Sequence, residues 1–136
     1  MNAICLLIAG VVHSSLTGQA FTLLWEHSVE KTRWEERYRI VGDRLELIEA
    51  RVQGLGAGME PAANAIMDQG WWKWKPERER LSELQLRFST YAADYRICSP
   101  ERCAALGSLL DGALVNGDIV ELRPCAAGVA QQGAQR

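Results

Sequence analysis

Histidine is scarce in this chain: there are two, at positions 13 and 27, in 136 residues. No two-His metal spacing can therefore be written, and the sequence points to no metal and to no cofactor. No serine sits in a Gly-x-Ser-x-Gly elbow, so the strained nucleophile turn of the α/β-hydrolases is missing. No catalytic constellation is found, and a non-enzymatic role is the expectation. An excess of positive charge is also absent. The formal net charge is −2, the pI is near 5.7, and the one basic stretch, Lys73 to Arg80, is interleaved with Glu77 and Glu79. Binding nucleic acid needs clustered Lys and Arg to displace counterions, so nucleic acid is excluded as the expected partner. No apolar run approaches the roughly 20 residues that cross a bilayer as a helix, so an integral membrane protein is not expected. Internal repeats are absent.

What is present is an ordinary globular composition, 48% hydrophobic and 24% charged, in a length that suits one domain. The domain is expected to span residues 3–125, with a small, polar, flexible tail over 126–136. The segment Ile4 to Val12 admits two readings. It has the length of a signal-peptide apolar region, with Gly18-Gln19-Ala20 as a small-residue cleavage site, yet no Lys or Arg precedes it. The competing reading is a buried strand from Ala3 to Ala9, broken by Gly10.

From Phe21 the pattern is that of half-buried strands. Phe21, Leu23, Trp25, His27 and Val29 alternate with Thr22, Glu26, Ser28 and Glu30, and Trp34, Glu36, Tyr38 and Ile40 alternate with Arg33, Glu35, Arg37 and Arg39. The β-branched and aromatic residues favour strand over a charged helix here. The two runs predict a hairpin from Phe21 to Val41. A third strand follows the Gly42-Asp43 turn, with Leu45, Leu47 and Glu49 on one face. Further strands are expected at Glu83–Phe88, Asp94–Cys98 and Asp118–Cys125, with a helical turn or loop over Leu106–Leu114. The fold class is all-β, an antiparallel β-sandwich or barrel-like meander.

Gly54 to Gly58 reads as a turn, because Met59-Glu60-Pro61 supplies neither the Lys-Ser/Thr nor the helix that a phosphate loop requires. Trp71 and Trp72, with Trp74, form the densest aromatic patch. Packing explains it most simply, and an aromatic platform for a ligand or partner is the sharper alternative. Four cysteines allow three pairings. Cys98 and Cys103 bracket a four-residue turn and Cys5 and Cys125 lie on the first and last strands, which could neighbour each other, so Cys98–Cys103 and Cys5–Cys125 are expected, against the alternative of four reduced cysteines in the cytoplasm. His27 and Glu36 point to the apolar face of neighbouring strands. A turn centred near Lys31 would bring them opposite or diagonal, as a hydrogen-bonded pair or half of a ligand site. His13 falls in a polar turn.

The segment from Trp25 to Glu36, carrying His27-Ser28-Val29-Glu30 and Thr32, followed by Gly56-Ala57-Gly58, resembles domain-of-unknown-function family 1850. The resemblance extends from about Ala3 to Cys125. It implies a small accessory domain found beside, or fused to, permeases of tripartite ATP-independent periplasmic (TRAP) transporters of the TAXI class. The implied partner is such a permease or its solute-binding protein, at the periplasmic or extracytoplasmic face; the cytoplasm is the alternative location. Candidate contact residues are His27, Ser28, Glu30, Glu36, Gly56, Gly58, Trp71 and Trp72. The competing function is a small-ligand or metal-binding β module built on the His27/Glu36 hairpin.

Overall fold

The computed structural model describes residues 2–26, 32–53, 63–110 and 112–126. Among them the chain forms β1 (Asn2–Ile8), β2 (Val11–Thr17), β3 (Ala20–Glu26), β4 (Arg33–Val41), β5 (Arg44–Gln53), β6 (Ile66–Asp68), β7 (Trp71–Trp74), β8 (Leu84–Arg87), β9 (Arg96–Cys98), β10 (Cys103–Ala105), α1 (Leu106–Leu109) and β11 (Ile119–Ala126). All pairing is antiparallel. One sheet has the order β2-β1-β11-β8 and the other β10-β9-β3-β4-β5-β7-β6. Their facing side chains share one core: Ile4, Leu6, Val120 and Leu122 from the smaller sheet meet Phe21, Leu23, Tyr38 and Leu47 from the larger, with Leu106 and Leu110 closing one side. This is an all-β, sandwich-like fold.

The apolar segment near the N-terminus is a strand, not a segment standing apart from the fold. β1 lies between β2 and β11, and its residues Ala3 to Leu7 are all buried. A central strand covered on both faces reads as a continuous apolar run, which is why its pattern imitates a leader peptide. The turn after it uses Ala9 and Gly10, both with positive φ (50° and 80°). That is the backbone a two-residue hairpin needs to match strand twist. Gln69 and Gly70 repeat the device between β6 and β7. The first of these turns creates β2, which sequence reading missed. His13, expected in a turn, is an exposed residue of that edge strand.

The hairpin of β3 and β4 is present, with Phe21 opposite Tyr38, Leu23 opposite Glu36 and Trp25 opposite Trp34. This register corrects the expected pairing of Glu36: its neighbour across the strand is Leu23, four residues before position 27. β5 also departs from expectation. A bulge places Arg37 against Glu49 and Tyr38 against Leu47, so Ile48 is extra. Beyond the bulge Ala50 and Val52 take the buried face, and Glu49 turns outward to Arg37 instead of continuing the Leu45/Leu47 face. Ala126, assigned by sequence to the tail, ends β11; the remainder of the expected tail, 127–136, lies outside the described residues.

Both expected disulfides form. Cys98 faces Cys103 directly across the β9–β10 hairpin, and Ser99 Oγ accepts from the Glu101 and Arg102 amides to shape its turn. Cys5 and Cys125 sit diagonally across β1 and β11 and are 120 residues apart in sequence. In the chain-entropy picture, closing the long loop stabilises by about 5 kcal/mol and closing the short one by about 2 kcal/mol. Urea unfolding of Cys5→Ala/Cys125→Ala should therefore show a markedly larger loss than Cys98→Ala/Cys103→Ala. Equal losses would contradict the loop-entropy origin. In a separate measurement, Leu122→Ala, at a site with 0% exposure, should lower stability by about 3 kcal/mol.

Candidate functional site

Side-chain alternation assigns the two faces of the larger sheet. At the end of β3 and β4 away from the β4–β5 turn, the inward positions become aromatic. Trp25 and Trp34 oppose each other with near-parallel rings, centroids 6.0 Å apart. Tyr95 lies 6.3 Å from Trp25 on one side, and Trp74 meets Trp34 edge-on at 6.2 Å on the other. Four aromatic rings thus run in a row across the strands. Trp25 and Tyr95 pack against the common core, whereas Trp34 and Trp74 lie beyond it and are half-buried. Offset and edge-on pairs suit the ring quadrupoles and hold this end of the sheet without help from the second sheet.

Glu36 is set within this apolar surface. It flanks Trp34 along β4, with Leu23 and Ala50 on the adjoining strands, and its side chain is 17% exposed. The Tyr38 hydroxyl donates to Oε1 at 2.8 Å, and Arg78 Nη1 approaches Oε2 at 4.0 Å. A carboxylate so placed must find donors, because an unpaired buried charge is costly. Arg78 lies three residues before Leu81, which exchanges two backbone hydrogen bonds with Leu45 of β5. Arg80 and Arg39 both bind Glu46 there and hold its carboxyl below the usual range, Arg80 foremost. Burial, and then the Glu36 charge, push the Tyr38 phenol far above its ordinary range. The same two causes, in the same order, raise Tyr95.

Of the expected contact residues, the three that the structure describes do not share one face. Glu36 and Trp72 occupy the inner face, Trp72 opposite Val52. Trp71 is on the outer face, where the Arg51 guanidinium sits 4.1 Å from its ring centroid while donating two bonds to Glu35. An internal cation thus already occupies Trp71. His27, Ser28, Glu30, Gly56 and Gly58 lie outside the described residues. Sequence reading named neither Trp25, Trp34 and Tyr95 nor Arg78 and Asp94 as site residues. The two tryptophans carried a signal, since inward aromatic positions at the open end of a hairpin have less core to fill. Tyr95, Arg78 and Asp94 carried none, being on irregular segments. Asp94 Oδ2 accepts from the Gly107 amide at 2.8 Å, and its Oδ1 and the Trp34 indole N–H are buried with no partner among the described residues. Among those residues no group of three or more His, Cys, Asp or Glu side chains is placed to hold a metal, and no helix is long and apolar enough to cross a membrane.

The Tyr38–Glu36 bond has a pH signature. A phenol whose pKa is raised by folding adds stability that is fully present below about pH 10 and declines above it, because the unfolded chain ionises first. Tyr38→Phe should cost about 1–2 kcal/mol at pH 7, since it removes a donor from a partly buried carboxylate. It should also make the alkaline decline shallower. Urea midpoints from pH 7 to about pH 11 measure both effects, and parallel curves for the two proteins would show that Tyr38 ionises as freely folded as unfolded.

No curated protein and no solved structure matches the chain. A family model does, Domain of unknown function (DUF1850), over residues 21–106. That span runs from the second residue of β3 to the first residue of α1 and so includes all of the larger sheet but Ala20, with the aromatic row, while β1, β2 and β11 fall outside it. The chain belongs to the DUF1850 family.

Proposed function

We propose that this protein is a non-enzymatic accessory domain of a TRAP-type solute transporter of the TAXI class. It engages the permease or its solute-binding protein through the aromatic end of the larger sheet. The observation that carries the reading is the row Tyr95–Trp25–Trp34–Trp74, half of which lies beyond the core. Aromatic side chains at the end of a rigid sheet lose little entropy on docking, and Trp and Tyr are enriched among the residues that dominate interface energies. Family membership supports the transporter context, through the genomic association that the resemblance implies. Two disulfides support the extracytoplasmic side, because such bonds persist in oxidising compartments.

The full chain, tagged, is expected to co-purify with the TAXI-class permease or solute-binding protein of its host, and deleting its gene is expected to lower uptake by that system. Trp34→Ala lies beyond the common core, so it should leave the far-UV circular dichroism intact while weakening the complex by about 2 kcal/mol, roughly thirtyfold. Absence of co-purification together with unchanged uptake would refute the proposal.

A further inference from the structure

On the larger sheet the charged side chains of the strands are almost all paired. Arg37 meets Glu49, Arg39 meets Glu46, Arg44 meets Asp43, Arg51 meets Glu35, Lys73 meets Asp68 and Glu36 meets Arg78, each within 4.0 Å. Glu26, Arg33 and Arg96 are the strand charges of this sheet with no such partner among the described residues. All three line the same cleft, of about 360 Å³, with Leu24, Trp34 and Asp94. The cleft exists because β9 pairs with β3 only from Thr22 to Leu24, which leaves the edge of Trp25 and Glu26 without a strand neighbour in the described structure. Residues from both faces therefore border one depression.

Two of the residues that line it also carry a buried polar atom. Asp94 is anchored through Oδ2 to the Gly107 amide, yet its buried Oδ1 has no donor among the described residues. The buried indole N–H of Trp34 likewise has no acceptor there. A volume of this size is at the lower end for small-molecule pockets. A simple anion entering it would meet two arginines but also Glu26, Asp94 and Glu35, the last already held by Arg51; a simple cation would meet the reverse conflict. A molecule bearing both charges satisfies both sets.

We propose that this cleft binds a small zwitterion of the α-amino-acid type. Arg33 and Arg96 take the carboxylate, for which the guanidinium fork is suited. Glu26 takes the ammonium at the mouth, with the Asp94 carboxylate beside it, and Leu24 and the Trp34 ring contact the side chain. This is a ligand site on the chain itself, independent of whether a transporter is its partner.

The test is calorimetric titration of the full chain with L-leucine and L-phenylalanine, each beside its matched amine and matched carboxylate (isoamylamine and 4-methylpentanoate; phenethylamine and 3-phenylpropionate). At least one amino acid should bind saturably, about tenfold or more tighter than either singly charged analogue. Arg96→Gln should weaken the amino acid about tenfold and leave the amine unaffected, and Glu26→Gln should spare the carboxylate in the same way. Both side chains are exposed, so folding is retained, which circular dichroism checks. Absence of saturable binding by both amino acids, an analogue that matches its amino acid, or unchanged affinity in both variants would each overturn the proposal.

Discussion

The pairing of β1 with β11 is the constraint on which the rest of the molecule depends. These strands are separated by nearly the whole chain, yet they lie at the centre of the smaller sheet and supply the surface that covers Phe21, Leu23 and Tyr38. Such a contact closes a long loop, and its entropic cost is met by the continuous burial of Ala3 to Leu7 and by the Cys5–Cys125 bond. Without it the larger sheet would expose its inner face. The DUF1850 match covers the larger sheet, Ala20 aside, but not β1, β2 or β11, so the part of this chain that the family model describes is not sufficient by itself to bury its own core.

The smaller sheet covers only part of its partner, and that incompleteness leaves the aromatic end beyond the core. Where the common core stops, Trp34 and Trp74 continue the apolar surface, and Glu36 sits among them with a hydroxyl and a guanidinium for company. The paired charges on the outer face contribute little individually, since exposed ion pairs are worth well under about 1 kcal/mol. Their arrangement is informative all the same. Each cross-strand partner fixes register and leaves Glu26, Arg33 and Arg96 as the exceptions around one cleft. Aromatic row and cleft share Trp34, so a partner at one and a ligand at the other would be felt by the same indole.

The legibility of this protein followed the range of its interactions. Alternation made the β3–β4 hairpin visible, because period two is a local property that survives one buried face. The four-residue turn between Cys98 and Cys103 made that disulfide visible, since it too is a local feature. The Cys5–Cys125 pair was reached by placing the first and last strands of the chain together, and the sheet order bears that out. β2 was missed because VVHSSLT is an edge strand with one apolar anchor, Leu16, and a polar remainder. Glu49 was put on the wrong face because a bulge at Ile48 shifts the phase and leaves no mark in composition. The expected closeness of His27 and Glu36 rested on a turn position; the register sets Glu36 against Leu23 on the same inner face, and His27 itself lies outside the described residues.

By itself, then, the sequence determined the all-β class, the inward and outward sides of the central hairpin, the pairing of four cysteines and membership of a family. Each of these follows from periodicity, from neighbouring residues or from a motif. Only the tertiary structure decided that Glu36 faces Leu23 and bonds Tyr38, that Arg78 approaches it, and that Trp71 is already occupied by Arg51. It alone decided that Asp94 and Arg96 border the same cleft as Glu26 and Arg33. The physical reason is common to all of these: they depend on register and on strand order across the sheet, which arise from the packing of the whole core and are written in no single stretch of the chain.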